Sequence, residues 1–145
     1  MAAEPGFPLI RTPDDLAQLG DYPAIGFNAG NLRVTIPKLD PGHNMLFDEN
    51  GPRMRIKIGD IGCSVLGEDI HTFVVHDHWI GWLNAAKRTM PNLRELRLIE
   101  FDMNDVRATK FGANFQRLVL DQCTNVDLAT VDRWRSYGYE VKINH

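Results

Sequence analysis

One phrase recurs in this chain at a fixed distance. Leu93, Leu96, Leu98 and Phe101 are answered by Phe115, Leu118, Leu120 and Cys123, each 22 residues later. Apolar residues at every second position mark a strand with one buried face, and a repeated phrase means that one backbone path is used more than once. A strand of that kind cannot bury its apolar face alone. Its copies must therefore stack side by side, each serving as the next one's neighbour.

With that phrase as reference, weaker copies emerge on both sides. Short alternating runs separated by Gly, Pro, Asn and Asp predict strands at Ala24 to Phe27, Leu32 to Ile36, Met54 to Ile58, Ile70 to Val75, Leu93 to Leu98, Phe115 to Leu120 and Tyr139 to Ile143. Inward-facing pairs then follow: Val34/Ile36, Ile56/Ile58, Phe73/Val75, Leu96/Leu98, Leu118/Leu120 and Val141/Ile143, with starts 22, 17, 23, 22 and 23 residues apart. The connections differ in kind. Pro41, Gly42, Asn50, Gly51 and Pro52 disfavour a helix before Met54, and the segment from Ile58 to Ile70 is a tight, Gly-punctuated return. Later connections read as helices. Trp79 to Arg88 places Trp79, Ile80, Leu83 and Ala86 on one side, Asp105 to Phe111 is a weaker turn, and Asp127 caps a helix carrying Leu128, Val131 and Trp134. Strand then helix, repeated, predicts parallel strands with right-handed crossovers.

The residues that carry the repeat, Leu93-x-x-Leu96-x-Leu98 and Phe115-x-x-Leu118-x-Leu120-x-x-Cys123, resemble the cysteine-containing leucine-rich repeats of ribonuclease-inhibitor-like and F-box-associated proteins. Ile70-x-x-Phe73-x-Val75 is a fair third copy, and the units starting near Asn31 and Arg53 are weak ones. The chain departs from that pattern in carrying Phe101, His78, Ile61 and Leu39 where Asn or Cys is expected. The resemblance implies an α/β fold: a short right-handed solenoid with a parallel sheet of about six strands and an N-terminal helix. It also implies a protein-binding task within a complex. One short helix ahead of the array does not supply the three-helix F-box module, so a ligase role stays an analogy.

Residues 1–23 read as a lead-in and capping helix, residues 24–145 as the repeat-like domain. Thr12 can cap, Pro13 suits the first helical position, and Asp14 and Asp15 favour the positive end of the helix. Leu16 and Leu19 would face inward. A net charge of −3 gives no footprint for nucleic acid or a polybasic membrane anchor, and no apolar run reaches the length of a membrane span. Two cysteines 60 residues apart, Cys63 and Cys123, read as buried free thiols in a reducing compartment, which makes a cytoplasmic or nuclear location the expectation.

Alternation sends the residues between the inward pairs to the open face. One column reads Arg33, Arg55, Thr72, Glu95, Arg117 and Glu140, the next Thr35, Lys57, Val74, Arg97, Val119 and Lys142. Six of these twelve positions are basic and two acidic, a locally basic face that fits a protein partner with an acidic surface. Arg33, Arg55, Lys57, Glu95, Arg97, Arg117 and Lys142 are therefore the candidate partner-binding residues. The competing reading is a solvated ion-pair ladder running through Glu95, Arg117 and Glu140. Edge-strand pairing with another chain, through the terminal strand near Val141 or through Leu32, is a third possibility. No catalytic residue, cofactor or metal is assigned. The alternative to an interaction module is a small metal-dependent hydrolytic enzyme centred on His76 and His78, spaced to share one face of an extended strand.

Overall fold

The fold is that of a computed structural model, which describes residues 8–20, 22, 24–28, 30–38, 44–47, 53–58, 61–77 and 79–145. His78, Leu39, Gly59 and most of the connection ahead of Met54 lie outside the described residues. Among those described, the strands form two sheets. The larger contains β2 (Ile25–Asn28), β3 (Asn31–Ile36), β7 (Ile70–Val75), β8 (Glu95–Ile99), β9 (Arg117–Asp121) and β10 (Glu140–Asn144), in the order β10-β9-β8-β7-β3-β2. Its strands from β3 to β10 run parallel, and β2 closes one edge antiparallel to β3.

The register of that sheet is the one the apolar pairs dictate. Val34 lies opposite Phe73, Phe73 opposite Leu96, Leu96 opposite Leu118 and Leu118 opposite Val141. The second row repeats the pattern through Ile36, Val75, Leu98, Leu120 and Ile143. Nine of these ten side chains are buried in one core, with Ile143 packed against it. Each complete burial of an aliphatic side chain contributes about 1.5–3 kcal/mol, so this double row is the main apolar investment of the fold.

The Ile56/Ile58 pair departs from the single parallel sheet. β5 (Arg53–Ile58) belongs to a second sheet with β1 (Leu9–Ile10), β4 (Asn44–Phe47) and β6 (Ile61–Leu66), in the order β1-β6-β5-β4. The reason is chain length. Ile58 pairs with Ile61, so two residues connect β5 to β6, and a connection that short can only reverse the strand, whereas a parallel neighbour needs a crossover of a dozen or more. The sheets are therefore mixed, and the array is not a uniform parallel stack. In place of the second of the six rungs, the antiparallel β4-β5-β6 meander carries the chain from β3 to β7. β1 adds parallel to β6, which brings Ile10 of the lead-in into the core.

The helices follow their local signals with three corrections. α1 (Pro13–Ala17) begins with a capping box: the Asp15 N–H donates to the Thr12 hydroxyl, and the Thr12 N–H donates to the Asp15 carboxylate. α2 (Gly81–Thr89) links β7 to β8, and α3 (Leu128–Ser136), capped by Asp127, links β9 to β10. Asp105 to Phe111 forms no helix, so β8 reaches β9 through an irregular segment. Leu128 is largely exposed, while Val131 and Trp134 of the same helix are buried. The start of α2 is also displaced: Trp82, Leu83, Ala85 and Ala86 face the core, whereas Trp79 and Ile80 precede the helix and stand in solvent.

The two sheets meet at the turn Gly67–Asp69 between β6 and β7, where backbone packs on backbone. A Cβ on Gly67 would lie 2.0 Å from the Thr89 carbonyl oxygen at the end of α2. Gly67→Ala is expected to cost about 1–3 kcal/mol in urea unfolding, because backbone atoms on both sides must move apart. Gly26→Ala, whose Cβ would meet nothing within 4 Å, should leave the midpoint unchanged.

Candidate interaction surface

The open face of the larger sheet carries its charges in register. Arg33, Thr72, Glu95, Arg117 and Glu140 form one row, and Thr35, Val74, Arg97, Val119 and Lys142 the next. The two remaining candidates are elsewhere. Arg55 and Lys57 lie on β5, opposite Ser64 and Gly62, so Arg55 is not beside Arg33 and the six-to-two basic excess does not form. On the face that does form, Arg33, Arg97, Arg117 and Lys142 are met by Glu95, Glu140 and, one row on, Asp121.

These charges are mostly engaged with one another. Arg117 sits between two carboxylates, its Nη1 3.6 Å from Glu95 and its Nε 3.6 Å from Glu140. Arg97 donates to Asp121 at 3.2 Å, and Asp121 also accepts from the Asn144 side-chain amide. On the same face Val74 and Val119 are 2% and 1% exposed, although they lie outside the main core cluster. The central charges of the face are thus paired with one another, and Arg33 and Lys142 are the candidate residues left exposed on it.

Past the strands' carboxyl ends, the repeat continues in the loops. Glu100 and Gln122 both take left-handed backbone, φ 52° and 51°, and the N–H groups of both donate to the next strand, at Asp121 and Asn144. One position further, Phe101 is buried and the Cys123 thiol donates to the Leu98 carbonyl at 3.3 Å. At the other end of the strands the Asn114 amide donates to the Asn92 side chain, and the Asn92 amide donates to the Glu68 carbonyl.

The loop after β7 builds a different kind of feature. Asp77 accepts from the Trp82 indole N–H at 2.9 Å, and the Trp82 ring packs edge-on against Phe73 in the core, with centroids 6.2 Å apart. Trp79 stands edge-on to that fixed ring, 5.2 Å between centroids, yet is itself 46% exposed. Its ring also lies over Gly81, where a Cβ would come within 2.3 Å of it. An exposed tryptophan is thus held between a glycine and an anchored second tryptophan. With Ile80, Phe101, Asp102 and Asp105 it lines a cleft of about 510 Å³. The sequence reading places Trp79 and Ile80 on one side of a helix with Leu83 and Ala86, and names neither Asp102 nor Asp105 as a site residue. The available signal was the Trp79-Ile80-Gly81-Trp82 string, since a glycine between two tryptophans leaves room for a ring.

Among the described residues the histidines do not assemble, and His78, the other member of the His76/His78 pair, lies outside them. His71 and His76 sit at opposite ends of β7, and His76 Nε2 is 3.4 Å from Glu100, an ion-pair distance without hydrogen-bond geometry. Among the described residues, no three His, Cys, Asp or Glu side chains are grouped to hold a metal ion. The thiols are poor nucleophiles. Burial pushes Cys63 up from 9.0 to about 11, against a smaller opposing effect of the Tyr22 hydroxyl, and burial also raises Cys123. Tyr22, whose hydroxyl donates to the Ile56 carbonyl, is raised as well, first by burial and then by Cys63.

Two outcomes follow from these groups. Arg117→Met should lower stability by less than about 1 kcal/mol, and the difference should shrink further in high salt, because its ion pairs are partly exposed. The unfolded chain ionises its thiols near 9.0 while native Cys63 holds its proton to about 11, so stability should fall as pH rises across that window. Urea midpoints measured along that pH series should decline, and Cys63→Ala should flatten the decline. Comparison of the chain with protein-family models, with curated proteins and with solved structures returns no match.

Proposed function

We propose that this chain is a non-enzymatic protein–protein interaction module, and that it docks its partner through the Trp79 corner rather than through the middle of the sheet face. The observation that carries the reading is the state of Trp79, half-exposed but fixed by Gly81 and by a ring that Asp77 anchors. Leaving a large aromatic surface in water forgoes stabilisation that burial would provide. Holding it in one position removes the ordering cost that weakens a mobile anchor. An aromatic side chain that is both wet and pre-positioned has the character of an interface anchor, and Trp leads the residues that dominate binding energy. The sheet face has the opposite character. Its central arginines already have carboxylate partners, and a protein docking there would have to displace them or desolvate them.

Two variants separate anchor from scaffold. Trp79→Ala deletes the ring and costs the fold about 1 kcal/mol of edge-on aromatic contact. Gly81→Ala keeps the ring but pushes it out of place, at a helix position where alanine is otherwise favourable. Both are expected to lose the partner in co-purification from the native source with mass spectrometry, while urea unfolding shows a folded protein. Arg33→Ala and Lys142→Ala should keep it. Loss with Arg33→Ala and Lys142→Ala alone would move the docking surface to the sheet face. Identical recovery by all four variants would overturn the interaction reading.

A further inference from the structure

The cleft beside Trp79 is asymmetric in chemistry. Trp79, Ile80 and Phe101 supply apolar surface, and Asp102 and Asp105 supply two carboxylates on its remaining side. Asp102 is oriented by its surroundings, since its Oδ1 accepts from the Asn104 N–H and from the Asn125 side-chain amide, each at 3.0 Å. Asp105 is exposed and makes no ion pair among the described residues. The local charge balance points the same way. Residues 76–80 and 100–107 contain Asp77, Glu100, Asp102 and Asp105 against one arginine, Arg107.

We infer that the cleft takes a protein segment in which an apolar side chain stands next to a lysine or arginine, the apolar group resting on Trp79 and Ile80 and the cation reaching Asp105. This deepens the docking reading above and rests on it. Two forces select such a segment. The apolar side chain covers aromatic and aliphatic surface that water now touches. The cation meets carboxylate oxygens beside the Trp79 indole, whose face attracts positive charge. An acidic segment would bring like charges together in a partly desolvated cleft, where repulsion is felt more strongly than in bulk water. At about 510 Å³ the cleft is within the usual range of small binding sites, with room for a few side chains and not for a domain. The partner chemistry is thus opposite to the acidic one that the twelve-residue face suggests.

The test uses the whole chain and three blocked tetrapeptides at concentrations up to about millimolar, the range of weak single-site contacts: Gly-Phe-Lys-Gly, Gly-Phe-Glu-Gly and Gly-Gly-Lys-Gly. The readout is the shift of the Trp79 indole N–H resonance, assigned by its absence in Trp79→Ala. The Phe-Lys peptide is expected to shift it with affinity about tenfold above the other two: Phe-Glu lacks the combined scale of one exposed cation–aromatic contact and one ion pair, and Gly-Lys lacks apolar burial of similar size. Asp105→Asn should erase most of the difference between Phe-Lys and Phe-Glu, as should raising the salt. Equal shifts by Phe-Lys and Phe-Glu would overturn the charge selection, and so would a preference that survives Asp105→Asn. If no peptide shifts the resonance while Trp79→Ala still loses the cellular partner, this inference fails and the docking reading stands. If Trp79→Ala keeps its partner, the docking reading itself fails.

Discussion

Everything in this structure hangs on the double row of aliphatic side chains that crosses the parallel strands from Val34 and Ile36 to Val141 and Ile143. Because side chains alternate faces along a strand, sliding any one strand by a single residue would send its pair to solvent and its charges into the core. The rows therefore fix register, and register fixes which residues reach the open face and where each strand ends. Glu100 and Gln122 adopt the same left-handed turn because Leu98 and Leu120 are neighbours in the same row. The Trp79 corner inherits its position in the same way, since Phe73 holds Trp82 and Trp82 holds Trp79.

The ends of the larger sheet are handled differently from its middle. At one edge β2 turns back antiparallel to β3. At the other, the backbone of Glu140 donates inward to Gln116, so the groups of Val141 face outward, and the Arg135 guanidinium donates to the Val141 carbonyl at 3.0 Å. A cation placed on an edge carbonyl, with Glu140 and Lys142 exposed beside it, is how natural sheets discourage further strands. A second chain pairing along β10 would have to displace that contact. The exposed edge is thus less inviting than its terminal place suggests, and it draws no support for self-pairing from its own chemistry.

How much of this was legible follows from what each signal encodes. Alternation encodes face, and it alone puts Val34, Phe73, Leu96, Leu118 and Val141 in one row. It does not encode which sheet a strand joins, so Ile56 was assigned to a row it does not occupy. The warning lay in its 17-residue interval to Phe73 and in the two residues between Ile58 and Ile61, which permit only a reversal. Helical spacing encodes an apolar side but not where the helix starts. Trp79 and Ile80 match the inward side of α2 only if the helix begins before them, whereas Ile80 is its N-cap and the core position goes to Trp82. On the candidate face, the ion-pair ladder through Glu95, Arg117 and Glu140 was legible as the competing reading, because charges of alternating sign stand at one register position on neighbouring strands. The Arg97–Asp121 pair was not, since Asp121 lies one row beyond the two columns that alternation picks out.

The electrostatic consequence is a reversal of sign between the two surfaces. Once Arg55 and Lys57 are assigned to the other sheet, the open face holds Arg33, Arg97, Arg117 and Lys142 against Glu95, Glu140 and Asp121, close to neutral and largely self-paired. The loops after β7 and β8 keep an acidic excess next to Trp79, the one large aromatic side chain among the described residues that is both exposed and held. Ion pairs spread over a sheet face stabilise each other weakly and offer a partner little that water does not. An apolar anchor bordered by acidic side chains offers both affinity and a reason to prefer one partner over another. The fold thus invests its regular part in its own stability and leaves recognition to the place where the repeat breaks, at the displaced start of α2.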